Sequence, residues 1–278
     1  MKNTRISIQE SFVQGKVDQD HCEDTIVETA DFVAIVDGVT SKSAFRYQGQ
    51  TTGKIASKLV AEVLKSCPSR ATILEFISLV NKRFARFYQE VDFPYDRQSQ
   101  GLQAVAVIYS RFQNEVWQIG DAQVNIDHKL HLNPKKSDLV LSDFRSLVLT
   151  SSDDTPEISK PDPGRQLILP WILKATQFAN QADSEWGYAI LNGDPIPESL
   201  LRVYGVDLRL GGGFIALASD GYPALKEPFL EDAESDLKRV LKNDPMCYKQ
   251  YRSTKGLVAG NQSFDDRSFI SFKIEKLS

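Results

Sequence analysis

Short apolar runs that stop at turn residues recur along the chain, the pattern expected of buried strands. Phe32–Val36 (FVAIV) is continuous and halts at Asp37-Gly38, and Phe214–Ala218 (FIALA) halts at Ser219-Asp220-Gly221. Leu102–Tyr109 (LQAVAVIY) is rich in β-branched and apolar residues. Glu115–Ile119 and Val124–Asp127 flank a turn at Gly120-Asp121. Ser268–Ile274 (SFISFKI) follows Asp265-Asp266, Ser7–Val13 alternates weakly, and Gly211-Gly212-Gly213 predicts a turn before FIALA.

Three segments follow the helical period instead. Ile55, Leu59, Val63 and Leu64 recur between Gly53 and Leu64. Ile73, Phe76, Ile77, Val80, Phe84 and Phe87 form a second stripe. A third helix is predicted from Pro228 towards Leu241, with Leu230, Leu237, Val240 and Leu241 inward. Amphipathic stripes of this kind need a surface to pack on. Two long helices between groups of strands predict α+β layers rather than a regular βαβ alternation. Pro, Asp and Ser cluster in Ser151–Gly164 (SSDDTPEISKPDPG), which predicts a surface loop inside one domain spanning 1–278.

Composition narrows the functional classes. The 278 residues are 41% hydrophobic and 25% charged, ordinary for a globular protein. The net charge is -4, and no Lys/Arg cluster marks a nucleic-acid footprint. The three cysteines, Cys22, Cys67 and Cys247, are scattered and odd in number, against a disulfide framework or a cysteine zinc site. A reducing, cytoplasmic compartment is expected. The opening MKNTRISIQE lacks an apolar signal core. No apolar run approaches the ~18 residues of a membrane span, so no membrane partner is expected.

Four acidic sites share one local design. Glu23-Asp24 precedes a strand-like stretch, Asp37-Gly38 ends FVAIV, Asp220-Gly221 ends FIALA, and Asp265-Asp266 opens the last strand. Each alone is an ordinary turn or surface signal, Asp-Gly being a common hairpin pair. Together they sit where rigid strands release side chains, and could converge. Convergent carboxylates repel; they shift their pKa values or bind cations. Hard divalent ions such as Mg2+ and Mn2+ prefer oxygen ligands. A glycine after the aspartate lets the backbone approach closely.

Other motifs lead elsewhere. Gly49–Lys54 (GQTTGK) is one residue short of a P-loop, and Ile55 replaces its Ser/Thr, so a helix start is expected. His21-Cys22 reads as structural, His128 and His131 as exposed turn residues, and Trp171 and Trp186 as packing residues.

In order and spacing, these pieces resemble the PP2C (PPM) phosphatases. The acidic pair comes first, then Asp37-Gly38, two helices, QGLQAVAVIY, IGDAQ, ALASDGY and SFDDRSFISF. Bacterial PP2C-like proteins are the nearest in kind, through Trp186–Pro195 (WGYAILNGDP) and the TKG…GNQSFDD ending. The resemblance implies an αββα sandwich: two antiparallel β-sheets flanked by helix pairs. It implies that Asp37 bridges two Mn2+ or Mg2+ ions and that Gly38 offers its carbonyl. Asp220 and Asp265 would bind one ion, and Glu23 would hold waters of the other. Asp24 would support them from behind, and Asp121 with Asp220 would form an accessory third site. Asp37, Glu23, Asp220 and Asp265 are then the catalytic set. The substrate would be a phosphoserine or phosphothreonine protein, attacked by a bridging hydroxide without a protein nucleophile.

Two departures stand out. Family members often carry a phosphate-gripping arginine just before the acidic pair, where this chain reads Asp18-Gln19-Asp20-His21. Lys16, Lys42 or Arg46 would take its place. Val39 stands where many eukaryotic members have histidine. The alternative reading is therefore a weak or inactive pseudophosphatase serving as a regulatory binding module.

Overall fold

In the computed structural model, which describes residues 4–153, 155–208 and 212–276, the two most apolar runs lie side by side. β3 (Phe32–Gly38) pairs antiparallel with β4 (Ala104–Ser110), Ile35 opposite Val107 and Asp37 opposite Val105. β2 (Asp24–Glu28), β5 (Glu115–Ile119) and β8 (Arg202–Gly205) complete a sheet ordered β2-β3-β4-β5-β8. The second sheet takes β1 (Thr4–Gln14), β10 (Arg267–Lys276), β9 (Gly212–Ala218), β6 (Gln123–Ile126) and β7 (Lys129–His131), in that order. Every pairing in both sheets is antiparallel.

The unbroken apolar runs now have their reason. Side chains alternate across a strand, and β3 is covered on both faces. Val33 and Ile35 meet Leu217, Ile270 and Phe272 of the opposite sheet, in the core between the sheets. Phe32, Ala34 and Val36 face α1 (Thr52–Ser66) and α2 (Ile73–Glu90), whose Leu59, Val60, Phe76, Val80 and Phe84 fill the outer core. Trp117 is fully buried there between Phe32 and Phe76. α2 starts with a capping box, Thr72 and Glu75 each satisfying a backbone amide of the other.

On the far side α6 (Leu230–Asn243) lies on the second sheet, with Ala233, Leu237 and Val240 against Ala216, Ala218 and Phe269. The helix pair expected on each face is thus α1–α2 on one side. On the other, α6 shares its cluster with Cys247, Tyr251 and Phe264 of the segment before β10. The result is the expected α+β sandwich of two antiparallel sheets between helical layers.

Two helices depart from the sequence reading: α4 (Lys136–Thr150) and α5 (Pro163–Ala175), which follow the four-residue α3 (Arg97–Gln100) in chain order. The buried positions of α4 include Ser142, Arg145, Ser146 and Leu149. Their spacing is helical, but three of the four are polar, so a search for apolar stripes passes over them. The outer positions Leu139, Val140, Phe144 and Leu147 are exposed instead. The Ser151–Gly164 loop is shorter than expected, because Asp162 caps α5 and Pro163 opens it. Trp171, expected to pack, stands 56% exposed on α5 with the Lys174 ammonium over its ring. Gly211 of the predicted glycine turn lies outside the described residues, and Gly212 already begins β9. No described helix is long and apolar enough to cross a membrane.

Candidate functional site

Sheet register brings the acidic residues together. Asp24, first in β2, is the cross-strand partner of Asp37 near the end of β3. Ser219 follows β9 and exchanges two bonds with Ser268: its amide donates to the Ser268 carbonyl at 3.0 Å, and its hydroxyl accepts from the Ser268 amide at 2.9 Å. That stitch holds Asp220 beside Asp265-Asp266. Gly221 is required by close approach, since a Cβ there would stand 2.0 Å from the Asp266 carbonyl oxygen. At Gly38 a Cβ would stand 2.1 Å from the carbonyl of Gly53, so the glycine lets the start of α1 close over β3.

Asp37, Asp121, Asp220 and Asp265 line one cleft of about 160 Å3. Glu23 and Gly38 are buried just behind it. Glu23 accepts from the Thr51 hydroxyl at 2.5 Å and lies 3.7 Å from the Lys16 ammonium. Asp24 is buried, with Oδ2 accepting from the Ser268 hydroxyl at 2.7 Å. Its Oδ1 has no hydrogen bond of good geometry among the described residues.

The electrostatics split this set in two. Burial pushes the Asp24 pKa up to about 7, tempered by the Ser268 and Ser219 hydroxyls and reinforced by Asp266 and Asp265. Burial and the charges of Asp24, Asp220, Asp265 and Asp121 hold Asp37 well above the usual carboxylate range. The surrounding protein and Asp265 and Asp121 push Asp220 up as well. Asp220 stands exposed on the cleft wall, so its like-charged neighbours carry that direction more than burial does. Among the described residues neither Asp37 nor Asp220 has an ion-pair partner.

Asp265 behaves oppositely. Burial alone would raise its pKa, but Lys255 and Lys16 outweigh it and hold the group ionised. The Lys16 ammonium lies 3.1 Å from Asp265 Oδ1 and 3.2 Å from Asp266 Oδ2, and Lys255 contacts Asp265 Oδ2. Lys135 pairs with Asp121 at 3.1 Å. Among the described residues no group of three or more His, Cys, Asp or Glu is spaced to hold a metal ion as it stands. Lysines are interleaved among the carboxylates.

Of the three cations singled out in the sequence for phosphate binding, Lys42 lines the cleft with its ammonium on the Thr40 carbonyl at 2.8 Å. Burial pushes its pKa down to about 7, helped by the charges of Lys255 and Arg165. Lys16 is engaged with the carboxylates. Arg46 is exposed, turned back onto the Ser43 and Phe45 carbonyls, and is not part of the cleft wall. Arg165, Lys135, Tyr251 and Lys255 also line the cleft, outside the residues that the sequence pattern points to. Only Lys255 left a trace, in the TKG segment. Arg165 sits on α5, placed by the Asp162 cap, and its guanidinium donates to the Thr254 carbonyl at 3.0 Å.

No protein-family model matches the chain. No curated protein is significantly similar to it. Solved structures do match. The catalytic domain of the serine/threonine protein phosphatase PstP, in complex with two manganese ions, covers 97% of this chain and 99% of its own. Its sequence identity is 14% and its TM-score 0.53. The Mycobacterium tuberculosis serine/threonine phosphatase PstP/Ppp covers 99% of each chain at 16% identity, with a TM-score of 0.49. Identity this low speaks for architecture alone. Two five-stranded antiparallel sheets between helical layers, matched over 97% of the chain, give this protein the PP2C phosphatase fold.

Proposed function

We propose that the chain is a metal-dependent phosphomonoesterase acting on phosphoserine and phosphothreonine in proteins, with Mn2+ or Mg2+ as cofactor. One observation carries the reading: aspartates from four separate segments, Asp37, Asp121, Asp220 and Asp265, line a single cleft that also holds Lys42, Arg165 and Lys255. Carboxylates suit hard divalent cations, and the cationic groups suit the oxygens of a phosphate ester.

The donor set fits the cofactor on the side of Asp37 and Asp220, where carboxylates held above their ordinary pKa lack a paired cation. There Asp37 and Asp220 would hold the metal, with the Gly38 carbonyl beside them and Glu23 reaching it through water, while Asp121 would join them only on leaving Lys135. When bound, the metal supplies a water of lowered pKa and offsets charge on the phosphoryl group. Lys42, Arg165 and Lys255 orient the phosphoryl oxygens, in place of the arginine missing near Asp18. Asp24 acts from behind, fixing Ser268 and with it the start of β10. Asp265 fits less simply, since two lysines already share it.

The test is hydrolysis of p-nitrophenyl phosphate and of phosphopeptides with Mn2+. Asp37→Asn is expected to lower kcat/KM by ~10²-fold or more. Undiminished turnover in excess chelator refutes the proposal. The second reading, a phosphopeptide-binding module without turnover, is favoured by the lysines on Asp265 and by the missing arginine. Rapid hydrolysis of any phosphopeptide eliminates it.

A further inference from the structure

Lys16 is placed with more care than a surface lysine needs. Its backbone amide donates to Asp266 Oδ1 at 2.7 Å, and its carbonyl accepts from the Gln262 amide at 2.8 Å. The residue is therefore pinned on both sides before its side chain is considered. The ammonium then reaches Asp265 Oδ1 at 3.1 Å, Asp266 Oδ2 at 3.2 Å and Thr40 Oγ1 at 3.3 Å, with Glu23 Oε2 at 3.7 Å. An ammonium has three donors, and three oxygens receive them. Three carboxylates surround one positive charge, an all-oxygen shell of the kind that suits a hard metal cation. Asp266 also accepts from the Glu23 amide at 3.1 Å, so the cage is rigid as well as charged.

We propose that the Lys16 ammonium is a resident counter-cation of the acidic cleft, occupying among Glu23, Asp265 and Asp266 a position that a divalent ion would otherwise share. The cleft is thereby divided. Its Asp37–Asp220 side is left for a divalent ion, while its Asp265 side is neutralised from within the chain. A metal ion approaching Asp265 meets Lys16 and Lys255 together, and like charges at contact distance oppose its entry. The chain then binds fewer divalent ions than its acidic residues would allow. The inference rests on the proposed function only in taking the cleft as a cation site; it does not require turnover.

Mn2+ titrated into the metal-free full chain, followed by calorimetry and by the electron spin resonance of free Mn2+, counts the ions bound by the parent and by Lys16→Gln. The variant is expected to bind one more ion per chain, or to tighten its weakest site by about tenfold or more. Equal numbers, with affinities within about twofold, overturn the proposal. Because Lys16→Gln leaves the three carboxylates without their ammonium, it is expected to melt below the parent without metal and to gain more from saturating Mn2+. A variant still unfolded in saturating Mn2+ also overturns the proposal, since a divalent ion should take over a counter-cation's role. If neither protein binds Mn2+, the metal reading of the cleft falls and this inference with it. If both bind the same number with affinities within about twofold, only this inference falls.

Discussion

Removing the guanidinium of Arg145 should cost more than any change on the surface of α4. Arg145 is fully buried and donates five hydrogen bonds. Its Nε and Nη2 reach Asp162 Oδ2 at 2.8 and 2.5 Å, tying α4 to the cap of α5. Nη2 also reaches the Met246 carbonyl at 2.7 Å, and Nη1 reaches the Cys247 and Ser253 carbonyls, each at 2.9 Å. One side chain thus clamps α4, α5 and the segment leading to Lys255, which place Lys135 (the N-cap of α4), Arg165 and Lys255 on the cleft wall. Arg145→Met keeps most of the volume and removes all five donors. Breaking a buried ion pair by removing one partner costs about 3–5 kcal/mol. The Met246 and Ser253 carbonyls, left without donors, would add ~1–3 kcal/mol each if water stayed out, while the Cys247 carbonyl keeps the Ser253 amide at 3.1 Å. These losses share one site and do not add, so about 3–5 kcal/mol is the expected total. Urea unfolding of the metal-free protein measures it as a lower midpoint at unchanged slope. If the α4–α5 hairpin opens on its own, the loss appears instead as faster hydrogen exchange of its amides. A loss below about 1 kcal/mol with unchanged exchange would refute the clamp. Asp162→Asn is the control: it keeps an N-cap acceptor for the Arg165 amide but removes the charge.

Three further outcomes follow from the cleft. Asp24, raised to about 7 in the fold, keeps its proton where the unfolded chain has released it. Metal-free protein should therefore lose stability as pH rises from about 4 through 7, by a few kcal/mol at most from this group. Asp24→Asn should flatten that slope in melting curves; parallel slopes would contradict the assignment. Arg165→Gln should raise KM for a phosphopeptide and weaken inhibition by inorganic phosphate, each by about tenfold or more, with a smaller effect on kcat. Unchanged values for both would remove Arg165 from phosphate binding. Arg46→Gln, at an exposed position off the cleft wall, should leave both values within about twofold of the parent.

Much of the sandwich was legible because its signals are local. FVAIV and AVAVIYS are apolar on both faces because each strand meets a helix layer on one side and the opposite sheet on the other. The stripes of α1, α2 and α6 are apolar because those helices pack on sheets. α4 carried no such stripe: its buried face is built from Arg145, Ser142 and Ser146, and serves as a polar clamp between segments. Trp171 misled for a related reason, since residue type predicts burial only where an element has a surface to cover it.

The candidate site divides in the same way. Strand ends, turn glycines and the acidic residues beside them can be read from residue order alone, because strand period and turn chemistry act over a few neighbours. The partners of those carboxylates cannot. Lys16 and Asp266 are 250 positions apart, and their contact exists only because β1 and β10 pair. Which aspartates face an ammonium and which face only one another is set by the packing of distant segments. Charge interactions depend on distance and burial, and neither is defined before the chain has folded.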